Sequence, residues 1–401
     1  MGHVVVVGGG QAGASCVAKL RALGHEDPIT LLCGEPVPPY QRPPLSKAYL
    51  LGDMALERLF LRPESYYADA NIDLRLNASV QAIDPEAKTV ALDGETLAYD
   101  DLVLTTGSTP RLLPAAIGGD LDGVLPVRTL ADVDAMAPRF VAGKRVLIIG
   151  GGYIGLEAAA VAAKKEMQVV LVEMADRILQ RVAAPETSAF FRDLHRSHGV
   201  DLREGVGLER LNRAGHVSSA VLSDGTELEV DFVIVGVGIA PDTGLADAAG
   251  LTIDNGIKVD AQGRSSDPHI WAAGDCASFP HDGGRIRLES VPNAIDQAEV
   301  VAENILGAEK DYVAKPWFWS DQYDVKLQIA GLNTGYDRVV TRDGGAAKSF
   351  WYFRGDTLLA VDAANDPRGY MIGKRLIEGG IAVDPEVIAD PTSDLKALLR
   401  K

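Results

Sequence analysis

One glycine fingerprint occurs twice in this chain, and each copy sits where a strand would turn into a helix. The first reads VVVVGGGQAG, with Gly8, Gly10 and Gly13 in the GxGxxG positions; the second reads VLIIGGGYIG, with Gly150, Gly152 and Gly155. In this pattern the first glycine makes the tight turn and the second lets the backbone approach a pyrophosphate. The third packs the helix closely on its strand. Amides at the helix N-terminus, with their partial positive charge, then hold the phosphates. A single GxGxxG is weak evidence. Here both copies follow an apolar β-type run, and both are followed by a second such run that ends near an acid, Glu35 or Glu173. The pair points to two dinucleotides, and two dinucleotides on one chain point to electron transfer between them.

At 401 residues the chain exceeds one ordinary core, so two or three domains are expected. A net charge of −17, from 39 basic and 56 acidic residues, disfavours nucleic acid as a partner, because phosphate neutralisation needs clustered cations. No stretch approaches the roughly 20 apolar residues that cross a bilayer, so no membrane association is expected. The first apolar run flows straight into its glycines, without a basic leader or a cleavage site, and the expected location is cytoplasmic. Cys16, Cys33 and Cys276 form no close pair and read as small buried apolar residues. No metal-ligand cluster is visible, and the seven histidines, His195 and His198 among them, read as surface or loop residues.

The predicted fold is α/β: two Rossmann-like dinucleotide-binding domains, for FAD and NAD, plus a small α+β C-terminal domain. Its boundaries are 1–112 and 241–312 for a discontinuous FAD-binding domain, 113–240 for the NAD-binding domain and 313–401 for the C-terminal interface domain. Residues 29–33 read as the second strand, with Glu35 placed to accept both ribose hydroxyls of an adenosine. The four prolines between Pro38 and Pro44 make a rigid irregular segment ending at an expected helix cap, Ser46. The sequence IWAAGDCA (270–277) reads as a return to the first domain, before a helix periodic from Asn293 to Leu306. The last 90 or so residues alternate in the β manner and close with a helix expected near 395–399.

Which dinucleotide goes where follows from chemistry. At the end of the second strand Glu173 favours the 2′-hydroxyl of NAD and repels the 2′-phosphate of NADP; Arg177 is the one nearby cation arguing otherwise. In AAGD, Asp275 can accept a hydrogen bond from a flavin's ribityl chain, for which a nicotinamide site has no use. A helix starting near Val291, with Pro292 in its first turn, would aim its positive end at the flavin edge that becomes anionic on reduction.

These residues resemble the glutathione-reductase-like two-dinucleotide flavoproteins. The segments PYQRPPLSKAYL, GGGYIGLE, ESVPNAIDQA and PWFWSDQYD are similar to those of bacterial ferredoxin reductases that serve P450 monooxygenases and ring-hydroxylating dioxygenases. The resemblance covers essentially the whole chain. It implies FAD, NADH as donor and a [2Fe–2S] ferredoxin as acceptor. It also implies that Ala12, Glu35, Lys47, Val80, Arg128, Asp275 and Val291 touch FAD, beside Gly8, Gly10 and Gly13. Gly150, Gly152, Tyr153, Ile154, Gly155, Glu157, Glu173 and Gly238 would line the NADH site. Among relatives the lysine matching Lys47 pairs with the acid matching Glu157 beside the flavin; in isolation the two also read as a solvated lysine and a first-turn acid. Tyr153 resembles an aromatic gate over the flavin, and equally a core aromatic at a domain seam. Trp319 is a candidate for the flavin face or for packing.

Relatives that reduce disulfides or peroxides carry redox cysteines after the ribose acid, where this chain reads PPYQRPPLSK, so thiol chemistry is not expected. An acidic ferredoxin calls for a local basic patch, for which Arg285, Arg287, Lys374 and Arg375 are candidates. Rival readings are a reductase of rubredoxin or a small molecule, and an NADH-responsive redox sensor like the apoptosis-inducing-factor relatives.

Overall fold

The computed structural model describes residues 2–400. The chain divides into two units, residues 1–42, 55–109 and 239–316 in one and 43–54, 110–238 and 317–401 in the other. In the first unit five strands form a sheet in the order Ile270–Ala272, Asp101–Leu104, Val4–Val7, Ile29–Leu32, Ile72–Arg75, every pair parallel. In the second the order is Asp201–Glu204, Gln168–Glu173, Arg145–Ile149, Phe232–Val235, Val124–Pro126, again all parallel. In both, the fingerprint strand is central, flanked by its next strand in sequence on one side and a later one on the other, as in a doubly wound sheet. The fifth place differs: it is filled by a strand from late in the chain in the first unit, and by one preceding the fingerprint in the second.

Burial explains why these segments are strands. Val4, Val5 and Val6 are inaccessible and Val7 nearly so, as are Val146 to Ile148. Parallel strands covered on both faces read as continuous apolar runs rather than alternating ones. Each such side chain contributes roughly 1.5–3 kcal/mol on burial. The helix Gln11–Ala22 packs on the helix Val291–Ile305 in the first unit, and the shared core runs through Ala12, Cys16, Leu20, Ala294 and Ala298.

The second unit also holds a five-stranded antiparallel sheet, ordered Trp317–Gln322, Val325–Gly331, Thr357–Ala364, Lys348–Arg354, Arg338–Asp343. Trp351, Val361, Tyr370 and Leu376 form its core with the helix Pro367–Glu378. That helix was not anticipated. The expected C-terminal helix is instead a 3-10 turn, Leu395–Arg400. Ser46 is not a helix cap either: it ends the 3-10 turn Pro43–Ser46, and its hydroxyl points to Glu157. The prolines set up that turn, and the buried carboxylate claims the hydroxyl a cap would have used.

The two fingerprints have matching stereochemistry. Gly8 and Gly150 adopt φ of +117° and +108°, closed to residues with a Cβ. A Cβ on Gly13 would overlap the carbonyl oxygen of Gly8, and one on Gly155 that of Gly150. Gly155→Ala should therefore cost roughly 3 kcal/mol by overpacking, read as a lower urea midpoint of the cofactor-free protein. Gly152→Ala should leave that midpoint within about 0.5 kcal/mol, because no atom lies within 4 Å of the added Cβ.

Candidate functional site

The open face at the second glycine is what a dinucleotide site requires. A Cβ on Gly10 or Gly152 would meet nothing within 4 Å, while every other glycine of the two triads is hemmed in by backbone. Both turns thus present backbone to empty space at the head of a helix, where a pyrophosphate fits.

In the first unit the Gly8–Gly13 turn, AAGD and the start of the helix Val291–Ile305 converge. Gly274, at φ +84°, lies so close to Ala12 and Ala294 that a Cβ on it would stand 3.1 Å from that of Ala12. Its amide donates to Gln297 Oε1 (2.9 Å). The carboxylate of Asp275 accepts from Ser108 Oγ (2.9 Å), and its carbonyl accepts from Arg287 (3.1 Å). Ser290 caps the helix by accepting from the Asn293 amide, and Val291 opens it with Pro292 beside it. Glu35 accepts from Tyr40 (2.6 Å) and pairs with Arg42 (2.6 Å), a partner the sequence reading did not find. Val80 is partly buried and packs against the core that includes Val5 and Leu104.

Lys47 and Arg128, grouped by sequence with those residues, belong to the second unit. Arg128 precedes the helix Leu130–Met136, whose cap Thr129 forms a capping box with Asp132. Glu173 ends its strand with Oε2 accepting from the Gly151 amide (2.7 Å) and Oε1 from the Ala175 amide (2.8 Å). The acid therefore stands directly against the second fingerprint. Arg177 turns away, donating to Ser188 (2.6 Å) and the Gln180 carbonyl (3.4 Å). Gly238, at φ +100°, follows the strand Phe232–Val235 near Arg111 and Arg181.

The helix Tyr153–Lys164 begins on that turn, and its first residues carry the centre of the unit. Ile154 is exposed; the Tyr153 ring lies 5.0 Å from that of Phe318, with its hydroxyl buried and unpartnered among the described residues. One turn on, Glu157 is 2% exposed. Its Oε2 takes Lys47 Nζ (2.8 Å) and Ser46 Oγ (2.6 Å), and its Oε1 takes Ser320 Oγ (2.7 Å). Burial pushes the Glu157 carboxyl up, while Lys47, Ser46 and Ser320 pull it back. The ammonium leaves no uncompensated charge, and removal of either partner would strand the other. Strand periodicity supplies the rest: in Trp317–Gln322 the side chains of Phe318, Ser320 and Gln322 share one face and meet Tyr153, Glu157 and His195. Trp319 lies on the opposite face, 5.5 Å from Trp317.

His195 was expected at the surface and is fully buried. It shares a helix face with Ser188 and Phe191, so 3.6-residue periodicity turns it inward, while His198 stacks on Tyr323 at 3.7 Å. Three of the four patch candidates spend their charge internally. Arg285 and Arg287 bond carbonyls of their own unit, and Lys374 pairs with Glu378 on its helix, leaving Arg375 exposed. All three cysteines are buried, and burial pushes the Cys16 and Cys33 thiols up to about 12, away from reactive thiolate. No group of side chains among the described residues could hold a metal ion, and none of the described helices is long and apolar enough to cross a membrane.

Two parallel dinucleotide folds and this site define a two-dinucleotide oxidoreductase. The chain belongs to the pyridine nucleotide-disulphide oxidoreductase family, whose model matches residues 2–298, and a reductase C-terminal model matches residues 317–399. It is 45% identical over 402 residues to a ferredoxin–NAD(P)+ reductase of Sphingomonas, covering 98% of this chain and 96% of that one. It is 43% identical over 407 residues to putidaredoxin reductase of Pseudomonas putida, covering 99% and 96%. The solved covalent complex of putidaredoxin reductase with putidaredoxin superposes with a TM-score of 0.96 at 42% identity, over 99% of this chain and 98% of that one.

Burial pushes the His195 pKa down from 6.5 to about 4. Between those values the unfolded chain binds the proton and the folded chain does not, so this residue's contribution to stability falls as pH drops from about 6.5 to about 4. His195→Gln should remove that component, up to about 3 kcal/mol, read as a shallower pH dependence of the urea midpoint.

Proposed function

We infer that this chain is an NADH-dependent ferredoxin reductase, a flavoprotein feeding an oxygenase system of the P450 or ring-hydroxylating type. The observation that carries it is the pair of open glycine turns, one beside Asp275 and a flavin-type helix and one beside Glu173. When bound, FAD and NADH supply hydride transfer and its division into single electrons: NADH plus two oxidised [2Fe–2S] ferredoxins gives NAD+, two reduced ferredoxins and one proton. The absence of a reactive thiol favours such an acceptor over a disulfide.

The chain's own residues set the rest. In this reading residues 1–112 and 241–312 form the FAD-binding domain, 113–240 the NAD-binding domain and 313–401 the interface domain. Gly8, Gly10, Gly13 and Ala12 seat the FAD pyrophosphate, Asp275 orients the ribityl chain, and Val291 brings the helix dipole to bear. Glu35, Val80 and Arg128 complete that site. Gly150, Gly152, Gly155, Ile154 and Gly238 shape the NADH site, Glu173 reads the 2′-hydroxyl, and Tyr153 gates it. The Lys47 ammonium, held by Glu157, favours the electron-rich reduced flavin. Trp319 belongs to the same site. The setting is the cytoplasm.

Stopped-flow reduction by NADH, followed by mixing with a panel of [2Fe–2S] ferredoxins, tests the assignment. Rapid flavin bleaching and fast transfer to one ferredoxin, slowed by added salt, is the expected result. Bleaching with slow transfer to all of them, and slow reoxidation, would favour a redox sensor or a small-molecule or rubredoxin reductase. Glu173→Gln keeps an acceptor for the Gly151 amide and removes the charge. It should weaken NADH about tenfold and narrow the preference over NADPH, measured as kcat/KM with each donor. Lys47→Met should lower both the flavin potential and its rate of reduction by NADH; an unchanged potential would remove Lys47 from that role.

A further inference from the structure

Glu157 is the end of a longer structure. Ser320, which donates to its Oε1, lies 3.2 Å from Gln322 Nε2; Gln322 Oε1 is 2.8 Å from His195 Nε2; His195 Nδ1 is 3.1 Å from the Tyr323 hydroxyl. Ser320, Gln322 and His195 are all fully buried, and Tyr323 reaches the exposed His198 stacked on it. All of these residues, with Lys47 and Ser46, lie in the second unit.

The direction of every bond in this line is determined. A carboxylate paired with an ammonium only accepts, so Ser320 commits its single hydrogen to Glu157. Ser320 must then accept from Gln322, and only the amide nitrogen can donate, which turns Gln322 Oε1 toward His195. That oxygen needs a hydrogen on Nε2. In a neutral imidazole Nδ1 is then bare and accepts from Tyr323. Every donor points at Glu157, the arrangement in which successive bonds polarise one another.

We propose that Tyr323, His195, Gln322 and Ser320 are positioning residues for the reductase, forming a one-way hydrogen-bond line that holds Glu157 as a carboxylate and thereby fixes Lys47 as its ammonium partner. The line accounts for three buried polar side chains, Ser320, Gln322 and His195, that meet across one strand and one helix. The titratable groups facing Glu157 are Lys47 and Tyr153; those facing His195 are His198 and Tyr323. The role rests on the reading of Lys47 as the flavin's cation, but the line itself does not.

The test is an isotope-edited infrared titration of the Glu157 carboxyl in the full chain with FAD bound. Ser320→Ala should raise its midpoint by about one pH unit, the loss of one charge-assisted hydrogen bond. The volume-conserving Gln322→Leu, which leaves that bond in place and removes the one that polarises it, should raise the midpoint by a smaller amount. His195→Gln, which keeps a donor toward Gln322, should stay near the parent value, whereas His195→Leu should rise. An unmoved midpoint in folded Ser320→Ala and Gln322→Leu proteins would overturn the proposal. The flavin potential separates the two levels: a line that shifts Glu157 while Lys47→Met leaves the potential in place would sink the assignment of Lys47 and leave the line standing.

Discussion

A carboxylate buried at Glu157 organises the second unit. An ionised acid withdrawn from water costs several kcal/mol unless its oxygens are met by charge and hydrogen bonds. Here the partners come from two distant parts of the sequence, Ser46 and Lys47 before the helix that carries Glu157 and Ser320 long after it. Residues 43–54 are an excursion out of the first unit's sequence, and residues 317–401 follow its last segment, yet both fold with the second unit. Their polar contacts to Glu157 are direct reasons for that. The pair is thus a structural joint as well as the charge we assign to the flavin.

The two dinucleotide folds solve one steric problem twice. Each fingerprint helix must lie against its strand closely enough that its third glycine excludes a methyl group, yet leave the second glycine open. Packing and ligand space are therefore separate demands within six residues. The same division runs through the first unit, where Gly274 permits Ala12 and Ala294 to approach while the carboxylate of the neighbouring Asp275 accepts from Ser108.

The three cysteines of this chain are placed as core residues rather than as exposed thiols. They occupy apolar positions, Cys16 on the inner face of the first helix and Cys276 behind AAGD, where burial holds them protonated. Electron flow to a ferredoxin needs no covalent partner on the protein, only charge and geometry around the cofactors. Among the patch candidates, Arg285 donates to the Val259 carbonyl and Arg287 to the Asp275 carbonyl. A basic residue counted in a sequence is a surface charge only if no buried acceptor claims it.

The sequence by itself determined both strand–turn–helix units, the reason for each fingerprint glycine, the acid at Glu173 and the helix that begins at Val291. Most of these depend on contacts within some thirty residues, where periodicity and glycine stereochemistry act directly, although Gly8 and Gly150 are also closed in by the distant carbonyls of Thr105 and Gly236. It also held the alternation of Trp317–Gln322, which puts Phe318, Ser320 and Gln322 on one side. What those side chains meet was decided only by tertiary structure. His195 reads as an ordinary helix histidine until its helix is packed, and Ser46 reads as a cap until a carboxylate is found within reach. Arg42 likewise became the partner of Glu35 only once the proline-rich segment had folded back. Local pattern specifies which face a residue lies on; burial of a charge specifies which distant groups must come to it.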